Sequence, residues 1–285
     1  MAMPLRSLLS RFPVQTVHTV SGPVQYRSAG EAADVTHVLL HGIGSGSGSW
    51  VEQLHTAEGR ADLRLLAWDA PGYGESAPVV PASPVAADYA QRLGDMLDAL
   101  DVRQPVVLVG HSLGCLMAAS AAAAQPQRVR RLVLLSPARG YGDAPEAERA
   151  DKLHTRLANL QRLGPQGMAT ARAAAMLSPA ATPDQVELVR STMAQVRVDG
   201  YTQATHLLAN GVLQRDVMHV GCPLDVASGE ADTITPPAGC LQVAQQAGVV
   251  WRTLGPVGHA CAIEAPEAVN ALLGLNRPST PESTA

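Results

Sequence analysis

The chain is predicted to fold as an α/β structure, a mostly parallel sheet flanked by helices on both faces and interrupted by an inserted helical block. Three observations predict it. Short apolar runs alternate with amphipathic stretches through the first half of the 285 residues. That alternation breaks after Leu135 and resumes only at Leu224. The apolar run Pro105-Val106-Val107-Leu108-Val109 passes through Gly110-His111-Ser112-Leu113-Gly114 directly into the small-residue run Cys115-Leu116-Met117-Ala118-Ala119. Alternating strands and helices are the pattern of a parallel sheet covered on both sides.

Strands are expected at Val38–Leu40, Leu63–Ala67, Val106–Val109, Leu132–Leu135, Leu224–Ala227 and Val249–Leu254. Residues before about 36 are expected to add antiparallel strands at one edge. Between the second and third strands, Val85, Tyr89, Leu93, Met96, Leu97 and Leu100 recur with the period of a helix. From Tyr141 to Met218 the pattern is helical throughout, punctuated by Gly164-Pro165, Ser178-Pro179 and Thr182-Pro183. The organisation that follows is a core of residues 1–140 and 219–276, a helical insertion at 141–218 and a disordered tail at 277–285.

Ser112 stands where a strand meets a helix. Such a turn strains the backbone, and Gly110 and Gly114 leave room for it. A serine placed there is lifted above the sheet edge as a nucleophile, with the Leu113 N–H close by. It then needs a base and a group that orients the base, in the chain order serine, acid, histidine. Downstream, His154 and His206 lie in helix-like stretches and His219 precedes a strand. His259 instead follows the Val249–Leu254 run, past the carboxyl end of a strand, where open α/β sheets place their sites. Asp232, between the Leu224–Ala227 strand and Thr233-Ile234-Thr235-Pro236, is preferred over Glu230 as the carboxylate that holds the imidazole. Upstream, Val38-Leu39-Leu40 runs into His41-Gly42-Ile43-Gly44-Ser45-Gly46-Ser47-Gly48-Ser49-Trp50, whose alternating glycines let backbone approach a ligand. That loop has neither the G-x-G-x-x-G nor the Gly-Lys-Ser/Thr spelling of a phosphate cradle.

Taken in order, His41-Gly42, Asp69-Ala70-Pro71-Gly72-Tyr73-Gly74-Glu75-Ser76, Gly110-His111-Ser112-Leu113-Gly114, Asp232 and Gly258-His259 resemble the α/β-hydrolase superfamily, over about residues 20 to 275. The resemblance implies an α/β-hydrolase fold with Ser112, Asp232 and His259 as the triad. Ile43 and Leu113 would supply the oxyanion-hole N–H groups, and His41 and Asp69 would be structural. It also implies that the block 141–218 is a cap over the site. The expected substrate contacts are Gly42, Gly44, His111, Met176 and Leu177. The loop from His41 to Trp50 is similar to that of the meta-cleavage-product hydrolases, which cut a C–C bond. His111 and Ala260 depart from that group, and His111-Ser112 is spelled as in esterases, lactonases and thioesterases. A serine hydrolase of ester-type bonds is therefore expected, with C–C hydrolysis as the alternative.

Composition bounds the partners. The net charge is −4 and the basic residues are scattered, which speaks against a nucleic-acid surface. No apolar stretch approaches the roughly 20 residues of a membrane span, and the first residues lack the features of a secretion signal. A cytoplasmic enzyme acting on a small molecule is the expectation, with self-association into a homo-oligomer left open. Cys115, Cys222, Cys240 and Cys261 match no zinc spacing and read as reduced, packed thiols. No metal and no cofactor is expected.

Overall fold

The protein is described from a computed structural model, which covers residues 3–276. The reading of 277–285 as a disordered tail lies outside the described residues.

A short helix α1 (Leu5–Leu9) precedes a hairpin of β1 (Gln15–Thr19) and β2 (Gly22–Ala29). Then come β3 (His37–Leu40), α2 (Val51–Ala57), β4 (Leu65–Trp68), α3 (Ala86–Ala99), β5 (Val106–His111), α4 (Gly114–Ala124) and β6 (Val129–Leu135). Four helices follow in a row: α5 (Glu146–Arg172), α6 (Pro183–Met193), α7 (Val198–Asn210) and α8 (Leu213–Val217). The chain closes with β7 (Leu224–Ser228), α9 (Pro237–Gln246), β8 (Trp251–Thr253), α10 (Cys261–Glu264) and α11 (Pro266–Leu273).

All eight strands belong to one sheet, in the order β1-β2-β4-β3-β5-β6-β7-β8. β1 pairs antiparallel with β2, and β2 with β4; every other pairing is parallel. The fold class read from the sequence is therefore the one observed, with the antiparallel hairpin at the expected edge. The central strands are apolar without alternation because both faces are covered. Successive side chains point to opposite faces, so Val38, Leu40, Leu108 and Leu134 join one core while Leu39, Val109, Val133 and Leu135 join the other.

The strand ends differ from expectation for local reasons. Leu63 gives its carbonyl to the Ala32 N–H, outside any ladder, so β4 begins two residues later than expected. Val250 is 77% exposed and Val249 donates back to Ala244, which leaves a three-residue β8. Helix α5 is broken at Gly164, where φ is 63° and ψ 175°. Pro165 follows, lacking an amide hydrogen and forcing its predecessor out of the helical region. Among the described residues no helix is long and apolar enough to cross a membrane.

Candidate active site

β3 and β5 are neighbours in register, Leu40 opposite Gly110, so the loops leaving both strands meet above the same sheet edge. Ser112 sits in the turn between β5 and α4 with φ at 54°, a left-handed conformation that side chains rarely adopt. Such a residue costs about 1–3 kcal/mol and persists only where its surroundings hold it. Here the Ser112 N–H donates to the Leu135 carbonyl at 3.0 Å, and its own carbonyl accepts from Cys115 and Ala138, each at 3.1 Å. The close crossing leaves no space beside Gly114, where a Cβ would stand 2.4 Å from the Leu40 carbonyl oxygen.

The loop after β3 is built around His41. Its Nε2 accepts the Ala70 N–H at 3.0 Å, so Nδ1 carries the hydrogen and donates to the Gly42 carbonyl at 2.8 Å. In a trans peptide the C=O and the following N–H point opposite ways. Pinning the Gly42 carbonyl on His41 therefore turns the Ile43 N–H to the other side. Ile43 lines the same cavity as Ser112 and Leu113, and among the described residues neither the Ile43 nor the Leu113 N–H has an acceptor. Asp69 holds the loop from beneath, taking the Ser47 N–H at 2.7 Å and its hydroxyl at 2.9 Å.

His259 stands in the loop between β8 and α10, 5% exposed, and Asp232 in the loop after β7, 3% exposed. The His259 Nδ1–H donates to Asp232 Oδ2 at 2.9 Å. The other carboxylate oxygen accepts the N–H groups of Ile234 and Thr235 at 2.8 and 2.9 Å. Burial alone would raise the carboxyl, but these donors, His259 first, outweigh it and hold Asp232 down to about 2. An ionised Asp232 accepts only, so the hydrogen of this bond is carried by His259 Nδ1.

The structure thus brings Ser112, His259, Ile43, Gly44 and Met176 around one cavity of about 460 Å³. Gly42 and His111 line a smaller pocket of about 40 Å³ that Ser112 and His259 also share. His111 spends its Nε2 on the His259 carbonyl, at 2.8 Å. Leu177 lies outside both pockets. It is buried in the core, with its backbone pressed against Gly258, where a Cβ would meet the Leu177 carbonyl carbon at 2.5 Å. The apolar run that suggested a pocket residue is here a packing surface.

Thr235 was not singled out from the sequence. Its hydroxyl stands 2.9 Å from Asp232 Oδ2, 3.1 Å from His259 Nδ1 and 3.0 Å from the Ser136 carbonyl. A hydroxyl three residues after an aspartate in a turn was the available signal. Cys261 is fully buried, with its thiol 4.0 Å from the Ser136 hydroxyl, and burial pushes it up to about 12.

Over 123 residues, 42% of each chain, the protein is 37% identical to the 2-hydroxy-6-oxononadienedioate/2-hydroxy-6-oxononatrienedioate hydrolase of Paraburkholderia xenovorans (strain LB400). That match spans less than half of the relative. It is 28% identical over 251 residues, 83% of this chain and 88% of the other, to the "Putative carbamate hydrolase RutD" of Klebsiella pneumoniae (strain 342). A thermophilic esterase from Thermogutta terrifontis superposes with a TM-score of 0.79 at 21% identity, covering 92% of this chain and 97% of that one, a likeness of fold. The model of the alpha/beta hydrolase family matches residues 38–272, and the chain belongs to that family.

Proposed function

We propose that the protein is a serine hydrolase that cleaves ester-type bonds (ester, lactone or thioester) of a small molecule through an acyl-enzyme on Ser112. The observation that carries this reading is the shared cavity. A left-handed Ser112 lines it together with His259, whose Nδ1 donates to the Asp232 carboxylate at 2.9 Å. His259 Nε2 takes the Ser112 proton as Oγ attacks the carbonyl carbon. The N–H groups of Leu113 and Ile43 hold the resulting oxyanion, each contributing roughly 3–4 kcal/mol to lowering the barrier. His259 then protonates the leaving alcohol or thiol. Water gives its proton to the same nitrogen and its oxygen to the acyl carbon, releasing the acid and restoring Ser112. No cofactor enters these steps. Helices α5 to α7 supply Met168, Met193, Tyr201 and Leu208 to the cavity lining, the turn between α5 and α6 supplies Met176, and together they act as the cap that sets substrate choice.

Hydrolysis of a short-chain p-nitrophenyl ester tests the reading. Ser112→Ala and His259→Ala should lower kcat by on the order of 10³ or more while the protein stays folded. A loss below about tenfold removes both residues from these roles. A second reading, C–C hydrolysis of ring-fission dienoates, draws on the similarity to the Paraburkholderia enzyme. Bleaching of the yellow dienoate by the unmodified protein, with esters left intact, would favour it.

A further inference from the structure

The cavity beside Ser112 holds positive charge that neither the fold nor the acyl-transfer steps use. Arg139, Arg156 and Arg172 line it, and the described lining contains no aspartate or glutamate. This runs against the composition, in which 25 acidic side chains outnumber 21 lysines and arginines. Arg156 and Arg172 come from α5, on either side of its break at Gly164, and Arg139 from the loop after β6. Guanidiniums gathered from separate segments repel one another unless an anion lies among them.

Some arginines elsewhere on the fold are paired with carboxylates, Arg131 with Asp225 at 2.7 Å and Arg197 with Asp199 at 2.6 Å. Among the described residues the three cavity arginines have no carboxylate partner, and Arg139 donates to the neutral Gln242 instead. Arg156 and Arg172 are half-buried, which makes an unpaired charge there costlier than at an open surface.

We propose that the substrate carries a carboxylate that these arginines bind while its ester carbonyl lies at Ser112. The assignment rests on Ser112 being the point of acyl transfer. A guanidinium presents paired donors in the plane of a carboxylate, the geometry of the strongest such contacts. Met176, Met193 and Leu208 also line the cavity and give it an apolar wall, suited to the aliphatic chain of a short diacid hemiester. A cavity of about 460 Å³ has room for such a molecule.

Binding to Ser112→Ala, which is not expected to turn the ligand over, tests the proposal. Monomethyl succinate, adipate and suberate are titrated calorimetrically, each beside the primary amide of the same shape. At least one hemiester should bind roughly tenfold tighter than its amide, with the advantage shrinking as salt is raised. Adding Arg156→Gln or Arg172→Gln should cut that advantage to below roughly threefold. Equal affinity within every pair overturns the proposal, as does the absence of saturable binding by all three hemiesters or an advantage that survives both arginine changes. Turnover by the unmodified protein is read separately. Charge-selective binding without hydrolysis of any ester would leave the carboxylate site standing and remove the acyl-transfer reading.

Discussion

The imidazole of His111 is tethered to the backbone of His259, its Nε2 lying 2.8 Å from the His259 carbonyl oxygen. Burial pushes His111 down to about 3, so the ring is neutral at ordinary pH and its Nε2 hydrogen makes the bond. The residue beside Ser112 therefore fixes the loop that carries His259, the proposed base. His111→Ala leaves a buried carbonyl unpaired, a loss of about 1–3 kcal/mol that loosens the His259 loop. We expect kcat toward the p-nitrophenyl ester to fall roughly tenfold or more, with KM nearly unchanged. His111→Asn, which keeps an N–H donor, should recover most of the rate. Equal kcat in the alanine and asparagine variants would show that the tether is irrelevant to the base.

Buried histidines also set the acid limit of the fold. Burial lowers His37 to about 4 and His111 to about 3, from an ordinary value of 6.5, and lowers His41 as well. The unfolded chain takes up these protons near pH 6.5 and the folded chain does not, so unfolding binds protons and stability falls as the pH drops below 6.5. At pH 5 His37 and His111 each cost roughly 2 kcal/mol relative to pH 7.5. Asp232 acts lower down. Held at about 2, its contribution is present above the ordinary carboxylate value and is lost only as pH falls through that range toward 2. The urea midpoint should thus decline between pH 6.5 and 5, before carboxylates titrate. A midpoint constant over that interval would show that these rings are protonated in the folded state.

The central strands were legible because a run such as Val106–Val109, apolar at every position, is what a sheet buried on both faces requires. Ser112 was legible because the glycines flanking it have a steric reason to be there, and the Leu40 carbonyl oxygen supplies that reason for Gly114. His259 and Asp232 were legible from chain order and from strands ending just before them. Arg156 and Arg172 were not, since an arginine on a polar helix reads as a solvated face until the fold turns that helix over a cavity. Leu177 misled in the opposite sense. An apolar side chain in the insertion serves the core as readily as the pocket, and periodicity cannot tell which.

Thr235 ties three groups together through one hydroxyl, and removing it should be felt in the chemistry. Thr235→Val strips a donor from Asp232 Oδ2 and a neighbour from His259 Nδ1. The carboxylate then bears more uncompensated charge against the imidazole, which favours its protonated form. We expect kcat to fall roughly tenfold and the acid limb of kcat/KM to move to higher pH. Thr235→Ser should restore both. A fall in kcat with the limb unmoved would assign Thr235 to packing alone.

Two glycines with opposite surroundings test the account of the turn at Ser112. At Gly114 a Cβ would stand 2.4 Å from the Leu40 carbonyl oxygen and 2.8 Å from that of His41. Both are backbone atoms of the adjacent strand and loop, so neither can swing aside. Gly114→Ala should force β3 and α4 apart, lowering stability by about 1–3 kcal/mol or more and displacing the Ile43 and Leu113 N–H groups from a common oxygen. At Gly221 an added Cβ meets nothing within 4 Å. Gly221→Ala should be neutral or stabilising by up to about 1 kcal/mol, because it restricts the unfolded chain without touching the folded one. Urea midpoints of the two variants, read beside their p-nitrophenyl ester turnover, decide the matter. If Gly114→Ala were as stable and as active as Gly221→Ala, close approach of strand and helix could not be what shapes the nucleophile turn.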